Sequence, residues 1–124
     1  MRAAPLLGLL LLGLAGPTLA QAPPAGDTAA GQQVYEVRCG FCHGEGAVGG
    51  QGPTLIGVVG RKAASVPNFE YTPALKASGL TWTPGDLDRF LTNPAALVPG
   101  TSMPMSVPDD KERRDLIAYL ASLH

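Results

Sequence analysis

Two cysteines and a histidine are grouped within five residues of the chain. Cys39 and Cys42 are separated by Gly40 and Phe41, and His43 follows directly. Thiols at this spacing lie about one helical turn apart, so both can add to the two vinyl groups along one edge of a porphyrin. The adjacent imidazole can then ligate the iron. The motif therefore predicts covalent attachment of one haem c through two thioethers.

The same cysteine pair is compatible with two other kinds of chemistry. A Cys-x-x-Cys pair can be a thiol–disulfide redox centre or half of a zinc site. Zinc needs further Cys or His ligands, but the chain has two cysteines and its other histidine is the terminal His124. A thioredoxin-like centre belongs beside a βαβ pattern, and the sequence contains no alternating strand pattern of useful length. Haem attachment is the favoured interpretation.

Iron in haem has two axial positions, and His43 fills one of them. The candidates for the other are Met103 and Met105, which lie in a polar loop punctuated by prolines. A methionine in such a loop is less easily explained as core filler than one on a helix. A thioether ligand raises the reduction potential. The pattern favours Met103 over Met105 and leaves five-coordinate iron as the alternative.

The chain has 124 residues and a formal net charge of −1, which favours one domain and argues against nucleic-acid binding. Residues 1–20 combine a basic start, a short apolar run and small final residues, which predicts a secretory signal peptide. The alternative is an uncleaved membrane anchor, although a spanning helix needs about 20 apolar residues. Residues 21–27 are predicted to form a flexible tail, and residues 28–124 the folded domain.

Helix signals divide the folded domain into short helices joined by long loops. Side chains that can cap a helix start occur at four places: Asp27 or Thr28, Thr72, Thr83 and Asp109. Glu112 lies three residues after Asp109, as in a capping box. The glycine-rich residues 44–60 and residues 95–107 lack a helical period and are predicted to be loops. The predicted fold class is all-α.

Apolar and small residues mark the helix faces that should be buried. Two sets have helical spacing, namely Leu87, Phe90 and Leu91, and then Leu116, Leu120 and Leu123. A glycine in the middle of a helix costs about 1 kcal/mol relative to alanine, so Gly31 predicts a close helix crossing. About 100 residues bury only a modest core, so we expect haem to supply part of the interior.

Together these stretches resemble class I cytochrome c, in the mitochondrial-type branch with its bacterial periplasmic relatives. The resemblance extends from Gly31 to Leu123. Gly31 and Tyr35 resemble the positions at which the family's first helix crosses the last one. Leu116 and Tyr119 resemble the matching positions on the last helix. The resemblance implies crossed N- and C-terminal helices, with short helices and long loops around one covalent haem.

The resemblance also implies roles for residues around the haem. Residues 93–103 are similar to the family's ligand loop, which implies Met103 as the axial ligand beside His43. The segment around Pro53 resembles the loop whose proline carbonyl accepts the N–H of the proximal histidine, here His43. The resemblance also implies that the haem propionates are bound by Arg61, Tyr71, Thr72 and Trp82.

Two positions depart from the family pattern and make the expected pocket more apolar. Phe90 stands where the family often has a tyrosine, and Leu75 where it has an asparagine. Met105 stands where many relatives have an aromatic residue at the exposed haem edge. The chain also has only three lysines, Lys62, Lys76 and Lys111, so its docking surface is expected to be less basic than in eukaryotic members.

The function implied by the resemblance is one-electron transfer in the periplasm, with no enzyme activity. The implied partners are membrane redox complexes or periplasmic oxidoreductases of a respiratory or photosynthetic chain, which a monomer would contact transiently. Two other classes remain as alternatives. One is a haem-based ligand-binding or peroxidase-like protein with a displaceable Met103, and the other is a haem-free thiol oxidoreductase that uses Cys39 and Cys42.

Overall fold

The computed structural model describes residues 25–124, together with residues 3–4, 13 and 15–17. Most of the predicted signal peptide (1–20) and residues 21–24 of the predicted tail lie outside the described residues. Within the described part of the chain, no helix is long and apolar enough to span a membrane. The predictions for these N-terminal segments stay predictions.

The described residues form six helices and no strand. The helices are α1 (Thr28–Arg38), α2 (Gly40–His43), α3 (Pro73–Ala77), α4 (Pro84–Thr92), α5 (Pro94–Leu97) and α6 (Asp110–Ala121). An isolated antiparallel bridge joins Lys62 to Thr81. The prediction of an all-α domain with long loops is therefore confirmed.

Capping side chains begin the longer helices where the sequence predicts. Asp27, rather than Thr28, caps α1, because its Oδ1 accepts a hydrogen bond from Ala30 N at 3.0 Å. Thr72 and Thr83 cap α3 and α4 in the same way, and a proline follows each at the first helical position. These starts depend on local chemistry alone, which is why the sequence reveals them.

Two details of the predicted elements are wrong. Residues 95–107 do not all form a loop, because Pro94–Leu97 makes the single turn α5, with Asn93 Oδ1 accepting from Ala96 N at 3.2 Å. In the described residues, the capping box of α6 has only one of its two hydrogen bonds. Asp109 Oδ1 accepts from Glu112 N at 2.8 Å. The Glu112 carboxylate, however, accepts from Arg38 Nη2 at 2.9 Å and so bonds to α1 instead.

Helices α1 and α6 cross at Gly31, as the glycine predicts. A Cβ atom at this position would lie 1.9 Å from Asp115 O and 2.9 Å from Tyr119 Cβ. Beside it, the rings of Tyr35 and Tyr119 pack with centroids 5.4 Å apart. Leu116 is completely buried at the same interface. The crossing therefore needs a backbone without a side chain at one point.

A buried carboxylate fastens the start of α1 to α6. Asp115 Oδ1 accepts from Asp27 N at 2.8 Å, and Asp115 Oδ2 accepts from Lys111 Nζ at 2.7 Å. The hydrogen bond from Lys111, followed by that from the Asp27 backbone, holds the pKa of Asp115 below its usual value. The side chain is therefore ionised at neutral pH and joins the two ends of the folded domain.

The buried apolar faces match those predicted from spacing. Leu87, Phe90 and Leu91 of α4 are buried, as are Leu116 and Leu120 of α6. Leu123, which follows the helix, is half-buried against the same core. All five buried residues also face one cavity, so the core and the candidate site share their walls.

Candidate functional site

A cavity of about 400 Å³ is lined by residues of α1, α2, α3, α4 and α6 and of the loops between them. This volume lies within the range of about 300–1,000 Å³ that is usual for small-molecule and cofactor sites. The cavity is lined by every site residue that the sequence predicts: Cys39, Cys42, His43, Pro53, Arg61, Tyr71, Thr72, Trp82 and Met103. Residues spread over 65 positions of the chain are thus brought together at one site.

The two thiols are placed by the turn that joins α1 to α2. Cys42 N and His43 N both donate to Cys39 O, at 3.1 and 2.9 Å. Tyr35 Oη donates to Gly44 O and so fastens this turn to α1. Both cysteines are free thiols, and burial raises the pKa of Cys39 to about 11. The turn therefore places both thiols about one helical turn apart beside the cavity.

The imidazole of His43 is oriented by a backbone carbonyl. Its Nδ1 lies 2.8 Å from Pro53 O. Because a carbonyl oxygen can only accept, Nδ1 carries the proton and Nε2 keeps its lone pair. Burial lowers the pKa of His43, and this outweighs the opposite effect of the Pro53 contact. A neutral imidazole with an unprotonated Nε2 is the form that ligates a metal.

Gly52 allows His43 to take this position. A Cβ atom there would lie 2.5 Å from His43 Cε1 and 2.6 Å from Nδ1. We expect Gly52→Ala to destabilise the protein by about 1–3 kcal/mol, because the imidazole must move away from Pro53. Urea unfolding measures the loss. Gly46→Ala is the matched control, since open space surrounds Gly46 and its stability should change by less than about 0.5 kcal/mol. Equal losses in both variants would contradict the prediction.

Arg61 lies at the cavity wall and also braces the loop that carries Pro53. Its Nη1 donates to Ile56 O at 3.1 Å, and its Nη2 donates to Thr54 O at 3.0 Å. Burial lowers the pKa of Arg61 from its usual value, yet the guanidinium stays charged at neutral pH. The Arg61 guanidinium therefore lies next to the cavity, and two of its nitrogens already donate hydrogen bonds to backbone carbonyls.

The other three residues implied on the propionate side also line the cavity. Tyr71 Oη accepts from Val66 N at 3.2 Å, so its own proton can still be donated. Thr72 Oγ1 accepts from Leu75 N at 3.3 Å as the cap of α3. Trp82 is buried, and its ring packs against Phe90 with centroids 4.9 Å apart. Two hydroxyls and an indole thus add possible donors to the apolar wall.

The two candidate methionines differ in burial. Met103 is half-buried and packs against the apolar core, whereas the side chain two positions later, Met105, is 38% exposed. Met103 N donates to Thr101 Oγ1 at 3.3 Å, which fixes the backbone just before the side chain. Both methionines line the cavity, and Met103 is the more buried of the two.

The donor set fits a covalently bound haem. Two free thiols, an unprotonated imidazole nitrogen and a thioether meet in one cavity. The remaining walls are mainly apolar, as a large aromatic ring requires, and include Phe90 and Leu75, the two departures from the family pattern. The charged and hydroxylic groups near Arg61 match the carboxylates of a porphyrin.

Apart from Thr101 and Ser102 of the predicted ligand loop, three polar residues that line the cavity were not indicated by the sequence. These are Arg38, Gln51 and Glu70. Arg38 directly precedes the first cysteine, and Gln51 precedes the Gly52-Pro53 pair, so closeness to a motif was the available signal. Glu70 has no such motif beside it, because it reaches the cavity through the path of a loop without regular structure.

Comparison with known proteins gives one consistent set of matches. The model of the family described as "Cytochrome C oxidase, cbb3-type, subunit III" matches residues 26–120. Cytochrome c2 of Rhodomicrobium vannielii is 46% identical over 108 residues, which are 85% of this chain and 86% of that protein. Cytochrome c of Tetrahymena pyriformis is 44% identical over 101 residues, covering 81% and 92% of the two chains.

A solved structure has the same fold. Cytochrome cH from Methylobacterium extorquens superposes with a TM-score of 0.74 at 43% sequence identity. The superposition covers 78% of this chain and 99% of that one. The range matched by the family model, 26–120, includes every residue that the sequence predicts for the site.

Proposed function

Because this chain belongs to the class I cytochrome c family, we propose that it transfers electrons through a haem c joined to Cys39 and Cys42 and ligated by His43 and Met103. The chain is a monohaem c-type electron carrier, since relatives named cytochrome c and cytochrome c2 match it over most of both lengths. The family model carries the name of an oxidase subunit, but the relatives are carriers rather than enzymes.

One observation carries the proposed ligation. The free thiols of Cys39 and Cys42, the imidazole of His43 and the half-buried thioether of Met103 all line one cavity. The Pro53 contact leaves Nε2 of the imidazole free to bind iron. The second candidate, Met105, is more exposed, and this supports Met103 as the sixth ligand.

The chain's own residues keep such a centre in one geometry. Bound haem iron supplies the one-electron couple between ferric and ferrous states. Pro53 fixes the tautomer and the ring orientation of His43, and hydrogen bonding of this kind raises the basicity of the ligand. The apolar walls at Leu116 and Phe90 exclude water, and the thioether of Met103 raises the potential. Arg61, Tyr71, Thr72 and Trp82 supply donors for the propionates.

We also propose that residues 1–20 are a signal peptide that directs export to the periplasm. Residues 21–27 then form a flexible tail, and residues 28–124 form the cytochrome c domain. The apolar run behind Arg2 supports export. The bacterial relatives named cytochrome c2 support a periplasmic carrier. In the oxidising periplasm two close thiols tend to form a disulfide. Covalent attachment of haem avoids this, because thioethers are not redox-labile.

Cytochromes c act with redox partners that they contact transiently. We propose that the partners here are membrane redox complexes or periplasmic oxidoreductases of a respiratory or photosynthetic chain, and that the carrier is a monomer. The chain has three lysines and a formal net charge of −1, which favours a docking surface less basic than that of the eukaryotic family members. Association with these partners should therefore depend only moderately on ionic strength.

The proposal is tested with protein purified from the periplasm of an expression host. The visible spectrum of the oxidised and reduced forms should show a low-spin c-type haem, and a haem stain should remain on the band after denaturing electrophoresis. A colourless protein with a reducible Cys39–Cys42 disulfide would instead support the thiol oxidoreductase. Tight binding of carbon monoxide or cyanide at neutral pH would support a ligand-binding or peroxidase-like protein with a displaceable Met103.

A further inference from the structure

We propose that Arg113 is a positioning residue, which holds the chain segment behind Met103 and so keeps the thioether at the haem iron. The inference rests on the proposed ligation by Met103. Arg113 lies in the first turns of α6 and does not line the cavity of the candidate site. Its effect on the site must therefore pass through the groups that it binds.

The guanidinium of Arg113 is buried, with 6% of the residue exposed, and it binds four residues. Nε donates to Asp88 Oδ1 at 2.9 Å, and Nη2 donates to Asp110 Oδ1. Nη1 donates to two successive carbonyls, Val107 O at 3.0 Å and Pro108 O at 2.9 Å. A buried arginine is tolerated when its charge is paired, and here the two carboxylates provide that pairing. The carbonyl contacts are additional to the pairing.

These carbonyl contacts close a clamp around Val107. From the other side, Val107 N donates to Leu91 O of α4 at 2.7 Å. Val107 is 2% exposed, and Leu91 is itself part of the cavity wall. The backbone at this point is therefore held on one side by α4 and on the other by the guanidinium from α6.

Met103 lies four residues before the clamp, in a segment with few bonds of its own. Among the described residues, positions 102–106 make no backbone–backbone hydrogen bond. Met103 N bonds to Thr101 Oγ1 at 3.3 Å, and Pro104 has no N–H to donate. The position of the thioether thus depends on two anchors, the turn at Thr101 and the clamp at Val107. Releasing the second anchor gives the segment more conformations in which sulfur is away from the iron.

The contacts allow the positioning role to be separated from charge pairing. A lysine at position 113 keeps a cation near Asp88, but its compact ammonium cannot span two carboxylates and two carbonyls together. Asp88→Asn makes the opposite change. It weakens the pairing at a side chain that is 44% exposed and leaves the Val107 and Pro108 contacts in place. The two variants therefore test different functions of the same guanidinium.

The experiment measures imidazole binding to the ferric holoprotein at one pH, together with unfolding in urea. Arg113→Lys is expected to bind imidazole about tenfold more tightly, which corresponds to about 1.4 kcal/mol, because a loosened Met103 is displaced more easily. The absorption band of thioether-ligated ferric haem should weaken in parallel. Asp88→Asn should stay within about twofold of the wild type in imidazole affinity, even where its urea midpoint falls.

A third variant covers the case in which Arg113→Lys does not take up haem. Pro108→Gly keeps every donor of Arg113 and increases only the freedom of the clamped segment, so imidazole affinity should rise in the same direction. Wild-type affinity in Arg113→Lys and in Pro108→Gly, with an intact thioether band, would overturn the role of Arg113 and leave the ligation standing. A wild-type protein without the thioether band would instead show that the proposed ligation is wrong.

Discussion

Replacing Met103 with leucine is expected to lower the midpoint reduction potential of the holoprotein by on the order of 0.1–0.3 V, part of the range of about 0.8 V that axial ligands span. Leucine nearly conserves the volume of methionine, so the fold and the packing against the core should persist. The substitution removes the thioether sulfur, whose ligation favours ferrous iron. A redox titration followed in the visible spectrum measures the shift.

Met105→Leu is the matched control, because it makes the same chemical change two residues away. Met105 is 38% exposed, so its loss should move the potential by less than about a tenth as much. The pair of variants also decides between the two methionines that the loop offers. A large shift in Met105→Leu with none in Met103→Leu would reverse the assignment.

Gly31→Ala is expected to lower the free energy of unfolding by about 3 kcal/mol. The added Cβ would meet Asp115 O at 1.9 Å, so α1 and α6 would have to separate along their whole contact. Alanine favours a helix over glycine by about 1 kcal/mol, but this gain is smaller than the cost of moving two packed backbones. Urea unfolding of the holoprotein measures the difference.

Gly85→Ala provides the comparison for the crossing, because Gly85 is also helical. Its added Cβ would have Thr83 Oγ1 as its nearest neighbour, at 4.0 Å, so nothing has to move. We expect this variant to be as stable as the wild type or more stable by up to about 1 kcal/mol. If Gly31→Ala were equally neutral, the crossing would not depend on the missing side chain.

Features of the fold that depend on a few neighbouring residues could be predicted from the sequence. Asp27, Thr72 and Thr83 begin helices through bonds to residues three positions later, and this is a local chemical preference. The turn α5 was missed for a physical reason. Four residues show no helical period, and the same Asn93-Pro94 pair that ends α4 also starts α5.

Features of the site that depend on long-range approach could not be predicted in this way. The spacing from Cys39 to His43 indicates haem attachment by itself, whereas Pro53 and Met103 were assigned through the family resemblance. Arg113 lies in a run of charged residues with Arg114, and nothing in the run distinguishes the buried arginine from the exposed one. The difference arises because Asp88, 25 residues earlier in the chain, comes within 2.9 Å of Arg113.

The crossing of α1 with α6 has a consequence for synthesis. These helices stand at opposite ends of the folded domain, so Gly31 meets its neighbours Asp115 and Tyr119 only after the last helix has been made. A chain emerging from the ribosome, at about 5–20 residues per second, lacks that partner until α6 has been synthesised. The contact between α1 and α6 therefore forms only after α6 has left the ribosome.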